Sequence, residues 1–183
     1  AYGAKALIDE LHSALDPKAY RKAVALLAES EFIDIFGVEN SLTPAMDLFT
    51  KLGYLGLTCR LNTDAYLQQI GAGHLPHGAV AVAFSHSGSS ADTVKALRLA
   101  KSHGAKTIAI TNAIGAPLAS WADVTLLTGR DSHTIYGNAI FSRVADTALV
   151  DMLYMGVILS DYGRFSTALD ESGRMIRDRV FEN

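Results

Sequence analysis

Residues 78–97, GAVAVAFSHSGSSADTVKAL, constrain the fold more than any other part of the chain. Residues 79–84 are a continuous apolar run of strand length, as expected of a strand buried on both faces of a parallel sheet. Beyond them the pattern turns helical: Val94, Leu97 and Leu99 supply an apolar face while Lys95, Arg98 and Lys101 point elsewhere. The join, residues 85–90, holds four serines and one glycine. A strand that passes through a Ser/Gly turn into a helix gathers N–H groups, hydroxyls and the positive end of a helix dipole at one point. That is an anion site in outline, with phosphate as the expected anion. A second reading stays open here: Ser89-Ser90-Ala91-Asp92 also fits a capping box, which accounts for one or two serines but not for Ser85 and Ser87.

The strand–turn–helix unit needs partners, and 183 residues with 49% apolar composition suit one globular domain with a substantial core. A formal net charge of −3 lacks the basic footprint of a duplex-binding domain, so this stretch by itself is expected to bind DNA poorly. The single cysteine, Cys59, excludes an intrachain disulfide and a cysteine-rich metal site, and its apolar surroundings predict a buried, inert thiol. No apolar run approaches the ~20 residues that span a bilayer, and no signal peptide opens the chain. A cytoplasmic location is therefore expected, with no metal, no organic cofactor and no membrane partner. The first residue is Ala1, not Met, which predicts either a processed chain or a piece cut from something longer.

Two helices are predicted at 4–15 and 18–29, divided by Asp16-Pro17, a natural N-cap with proline at the first helical position. Leu7, Ile8, Leu11 and Leu15 share a face of the first; Ala23, Leu26, Leu27 and Ser30 share a face of the second. Strands are predicted at 32–37, 57–61, 80–84, 107–111 and 124–127, with helices at 43–54, 64–70, 90–103 and 117–121 between them. Gly104 is a suitable C-cap after the third of these. Such alternation predicts α/β architecture: a five-stranded parallel sheet between two helical layers. Ligands in such sheets bind beyond the carboxyl ends of the strands. Small polar residues follow three of those ends: Asn40-Ser41, residues 85–90, and Thr111-Asn112. Residues 128–138 read as a loop and 139–160 as the longest helix. One stripe of that helix runs Phe141, Val144, Ala148, Met152, Met155 and Leu159; another runs Leu149, Leu153 and Val157. A helix apolar on two faces needs more cover than one sheet, which predicts a homodimer or a dimer of dimers. Residues 164–183 read as a charged, weakly patterned tail.

At Ser85-His86-Ser87-Gly88-Ser89-Ser90-Ala91-Asp92-Thr93 the chain closely resembles the SIS (sugar isomerase) domain family, whose hallmark is an S-x-S-G loop ahead of a helix. The likeness extends through Ala109-Ile110-Thr111-Asn112, Pro117-Leu118-Ala119 and Ala122-Asp123, and covers residues 31 to about 160. It implies a flavodoxin-like α-β-α sandwich whose serine loop holds the phosphate of a phosphosugar. Lys51-Leu52-Gly53-Tyr54-Leu55-Gly56, Ser142-Arg143-Val144-Ala145 and Val150-Asp151-Met152-Leu153-Tyr154 are similar to stretches of RpiR-type transcriptional regulators. That branch joins an N-terminal helix-turn-helix domain to a C-terminal SIS domain. By this likeness residues 1–183 are one SIS domain: connector helices over 1–30, an α/β core over 31–163 and a tail over 164–183. The DNA-binding domain would lie outside this chain, and DNA would be reached only through it.

The alternative branch, the phosphohexuloisomerase-like enzymes, carries a glutamate at what looks like Ser142 and a histidine near the C-terminus that residues 164–183 lack. Moving a proton between adjacent sugar carbons needs a base within hydrogen-bond reach, and Ser142 cannot serve; His133 and Asp151 are the remaining substitutes. Sensing is therefore favoured over catalysis. The implied ligand set is Ser41, Ser85, Ser87 and Ser90 on the phosphate, with His86 lining the pocket and Asn40, Glu39 and Ser142 nearby. No basic side chain lies in the serine loop, so binding is expected to rest on hydroxyls and dipoles. Gly37-Val38-Glu39-Asn40-Ser41 departs from the family's G-x-G-x-S turn. Glu39 either turns outward or reads a hydroxyl or amine of an unusual effector.

Overall fold

The computed structural model describes residues 2–130 and 143–177. Helices α1 (Tyr2–Ala14) and α2 (Pro17–Glu29) lead into β1 (Ile33–Phe36), a 3-10 turn (Glu39–Ser41), α3 (Leu42–Tyr54), β2 (Cys59–Leu61), α4 (Ala65–Ala72), β3 (Val80–Phe84) and α5 (Ala91–Ser102). Then come β4 (Lys106–Thr111), a 3-10 turn (Pro117–Trp121), β5 (Val124–Leu127), α6 (Val144–Ser160) and α7 (Tyr162–Met175). The five strands are all parallel, in the order β2-β1-β3-β4-β5. This is the α/β sandwich that the alternation predicts.

Strand β3 explains the layers. Its Val80, Val82 and Phe84 join one core cluster, with Leu27 of α2, Leu48 and Leu52 of α3, and Leu149, Leu153 and Val157 of α6. Its Ala81 and Ala83 face the other way, against Ala96, Leu97 and Ala100 of α5. Large residues on one face and alanines on the other let α5 lie close to the sheet while the opposite layer takes the bulkier helices. The buried face of α5 is Thr93, Ala96, Leu97 and Ala100, with Val94 and Leu99 only partly covered. The expected Val94–Leu97–Leu99 face is thus corrected: small residues face an alanine sheet, which hydrophobicity alone does not reveal. Gly104 takes φ +87°, as its capping place requires.

Asp16 caps α2 as expected, its carboxylate accepting from Lys18 N at 3.0 Å and Ala19 N at 3.4 Å. The buried residues of α2 are Ala23, Val24, Leu27 and Ala28, so this connector is part of the main core. In α6 the Leu149–Leu153–Val157 stripe is buried, with α1, α2 and α3 of the same chain packed around the helix. The other stripe stays partly open, with Met152, Met155 and Leu159 exposed. The predicted start of that helix at 139, with Phe141, lies outside the described residues. The expected tail forms α7 over much of its length, and Phe165 is wholly buried. Cys59 is half-buried, and burial pushes its thiol up to about 12, which keeps it protonated and unreactive.

One buried pair locks the β1–β2 edge. Register places Asp34 beside Arg60, whose Nε and Nη2 donate to the two carboxylate oxygens at 3.0 and 2.6 Å. Arg60 also lies over the Phe32 ring, and Gly71 leaves room for its guanidinium, which a Cβ there would meet at 2.6 Å. No described helix is long and apolar enough to cross a membrane.

Candidate functional site

In this strand order β1 and β3 are neighbours whose following loops diverge, which opens a crevice at their carboxyl ends. Gln68, buried in α4, closes one side. Its side-chain amide donates to Gly37 O at 2.7 Å and Asn62 O at 2.8 Å, and its Oε1 accepts from Gly37 N at 3.2 Å. These bonds fix the exit of β1, so that the Glu39–Ser41 turn and the start of α3 stand over the crevice.

The serine loop is fastened from the other side, by β4. Ser85 N donates to Ile110 O at 3.1 Å, Asn112 N and Thr111 Oγ1 donate to His86 O at 3.0 and 3.1 Å, and Leu118 N donates to Gly88 O at 2.9 Å. Gly88 takes φ +62°, and a Cβ there would lie 2.3 Å from Ala116 Cβ and 2.8 Å from Thr111 Oγ1. Only glycine fits, which is the physical content of the S-x-S-G pattern. Thr111 and Asn112, expected at the site itself, instead buttress the loop from behind.

Between these loops lies a cavity of about 380 Å³ lined by Val38, Glu39, Asn40, Ser41, Ser85, His86, Ser87, Ser89, Ser90, Asp92 and Arg143. The structure therefore brings Ser41, Ser85, His86, Ser87, Ser90, Glu39 and Asn40 to one place; Ser142 and His133 lie outside the described residues. Ser85 is buried, Ser87 and Ser90 half-buried, and Ser89 exposed. The capping-box reading is corrected: Ser90 precedes α5 without capping it through its side chain, and Asp92 accepts from Gln69 Nε2 at 3.1 Å. Ser41 likewise precedes α3 without a side-chain cap. The hydroxyl of Ser90 accepts from Thr93 Oγ1 at 3.3 Å, and that of Ser87 accepts from Ser89 N at 3.3 Å.

The cavity holds a cation that the sequence reading missed. Arg143, at the start of α6, is the one lysine or arginine lining it among the described residues. Its Nε lies 4.0 Å from Asp146 Oδ2, and His86 Nδ1 lies 3.9 Å from the same oxygen. Asp146 is itself buried, just behind the lining. Burial pushes its carboxyl above the usual carboxylate range, against the opposing pull of a hydrogen bond with Thr128 and of the nearby His86 and Arg143. The serine loop itself carries no basic side chain, as its sequence shows; the guanidinium side chain that borders the same space comes from the distant Arg143. Asp151, a substitute base in the enzymatic reading, is exposed and paired with Lys51 Nζ at 2.5 Å, outside this lining.

Chemically, the arrangement suits a small tetrahedral anion. Hydroxyls come from two loops, the start of a twelve-residue helix points at the cavity, and a guanidinium stands opposite. Among the described residues no group of three His, Cys, Asp or Glu side chains gathers as metal ligands would.

A protein of Caldanaerobacter subterraneus subsp. tengcongensis described as an uncharacterized HTH-type transcriptional regulator is 30% identical over 179 residues, covering 98% of this chain and 64% of that protein. The chain spans 51–64% of the length of the first such relatives. Among solved structures, Vibrio vulnificus NanR complexed with ManNAc-6P superposes with a TM-score of 0.91 at 24% identity, covering 98% of this chain and 67% of that one. The sugar isomerase domain of an RpiR transcription factor from Sphaerobacter thermophilus gives 0.85 at 22% identity, covering 94% and 95%. At those identities the superpositions establish a shared fold. The sequence match to the SIS domain runs over residues 26–156, from the second helix to most of α6; this chain belongs to the SIS domain family.

Proposed function

We propose that this chain is the effector-sensing domain of an RpiR-type transcriptional regulator of carbohydrate metabolism, and that its effector is a phosphosugar held by the phosphate in the β1–β3 cavity. The observation that carries the reading is the meeting of Ser41, Ser85, Ser87, Ser90 and the first turn of α5 with Arg143 around one polar space. NanR, complexed with ManNAc-6P, shares the fold, and the sequence relative is an HTH-type regulator. Each charge-assisted bond contributes roughly 1.5–3 kcal/mol net, so three or four, less ordering costs, give millimolar to micromolar affinity. That range suits a metabolite sensor. The protein works in the cytoplasm as a homodimer, the exposed Met152–Met155–Leu159 stripe of α6 supplying the apolar contact. Effector binding favours one arrangement of the dimer and so repositions DNA-binding domains joined through α1 and α2. Isothermal titration of phosphosugars tests the reading. Wild-type protein binds, Ser85→Ala/Ser87→Ala binds at least tenfold more weakly, and neither isomerises the sugar. Unchanged affinity in the double variant removes the site; turnover moves the chain to the isomerase class.

A further inference from the structure

Glu39 is the one described residue other than glycine with positive φ, at +52°. Left-handed backbone is costly for any residue with a Cβ, and glycine would relieve it. The strained position is not remote: Glu39 opens the 3-10 turn after β1 and lines the cavity together with the serine loop. Its side chain is exposed, and among the described residues no cation pairs with it. Strain held at a ligand cavity points to a role for the residue that holds it.

The charges in the lining sharpen that role. Two carboxylates, Glu39 and Asp92, share the space with one guanidinium, Arg143. A phosphate monoester carries close to two negative charges at neutral pH, so a ligand with no other charge meets repulsion from Glu39. A ligand with an ammonium group some bonds away from its phosphate meets both signs in place: the anion at the serine loop and Arg143, the cation at Glu39 on the facing turn.

Accepting the phosphosugar reading above, we infer that the effector is a phosphorylated amino sugar with a free amine, and that Glu39 is the residue that selects it. Selection acts through a charge-assisted hydrogen bond from the ammonium to the Glu39 carboxylate, which a hydroxyl or an N-acetyl group in that position cannot match.

The test is calorimetric titration of the folded chain with the 6-phosphates of glucosamine, galactosamine and mannosamine, each set against its hydroxyl and N-acetyl counterparts. In the series that binds best, the free amine binds at least tenfold more tightly than either counterpart. Glu39→Gln brings the three within about twofold, and Glu39→Gly does the same while its melting temperature stays at or above that of wild type, which rules out misfolding. Equal or tighter binding of the hydroxyl or N-acetyl sugar overturns the inference, as does a preference that survives in Glu39→Gln. If no sugar phosphate binds, or if Arg143→Ala leaves binding unchanged, the phosphosugar reading fails and this inference with it. Binding that depends on Arg143 but ignores the amine sinks the inference alone.

Discussion

Asp34 and Asp146 are both buried, at 1% and 5% exposure, and each faces an arginine, yet the two pairs are built for different ends. Arg60 grips Asp34 with two bonds of 2.6 and 3.0 Å, backed by the Phe32 ring and by the room that Gly71 leaves. Arg143 stands 4.0 Å from Asp146, shares it with His86 at 3.9 Å, and looks into the cavity. The first pair is closed and serves the sheet edge. The second is set wider than a hydrogen bond, and its arginine lines the cavity. Distance, more than burial, separates the two pairs.

The largest effect should come from breaking the closed pair. Asp34→Ala leaves the Arg60 guanidinium without its carboxylate and is expected to cost about 3 kcal/mol in denaturant unfolding, the low end for breaking a buried pair because Arg60 is partly exposed. Phosphosugar affinity per folded molecule should not change; a loss there would erase the distinction between the pairs. Next, Arg143→Met should lower phosphosugar affinity by roughly 10- to 100-fold, the worth of one charge-assisted bond, while shifting unfolding by no more than about 1 kcal/mol. A large loss of stability with intact binding would invert the comparison.

The smallest effect is in pH dependence. Burial holds both carboxyls above the ordinary aspartate value of 3.8, so the folded chain keeps protons that the unfolded chain releases. Their contribution to stability is fully present below 3.8 and is lost as pH rises through the folded values. Asp123 runs the other way. Despite burial, its bonds with Lys101 and Thr107 lower it, and its contribution is lost as pH falls. Asp146→Asn should therefore flatten part of the decline in unfolding free energy as pH rises above 3.8. A steeper decline in the variant would contradict the assignment.

Much of the architecture was legible in residue order because it is local. The apolar run of β3, the Asp16-Pro17 start of α2 and the Gly104 stop of α5 each declare themselves within a few residues. The serine loop was legible as the join between a strand and a helix for the same reason. What escaped the reading depends on packing between distant segments. Asp34 sits in an apolar strand, and only the parallel register sets it beside Arg60. Arg143 and Asp146 lie more than fifty residues after the serine loop, and the seating of α6 on the sheet is what carries them to it. Glu39 stood out as a departure from a glycine pattern, but its positive φ is visible only in the backbone.

The central claim is that the hydroxyls of Ser41, Ser85, Ser87 and Ser90, with Arg143, grip a phosphate. A crystal structure of the chain grown with a phosphosugar that binds it in solution tests this most directly. The account predicts the phosphate between the serine loop and Arg143, within hydrogen-bond distance of both, with the sugar ring toward Glu39. A phosphosugar seated elsewhere on the molecule, with the serine loop and Arg143 untouched, would contradict it.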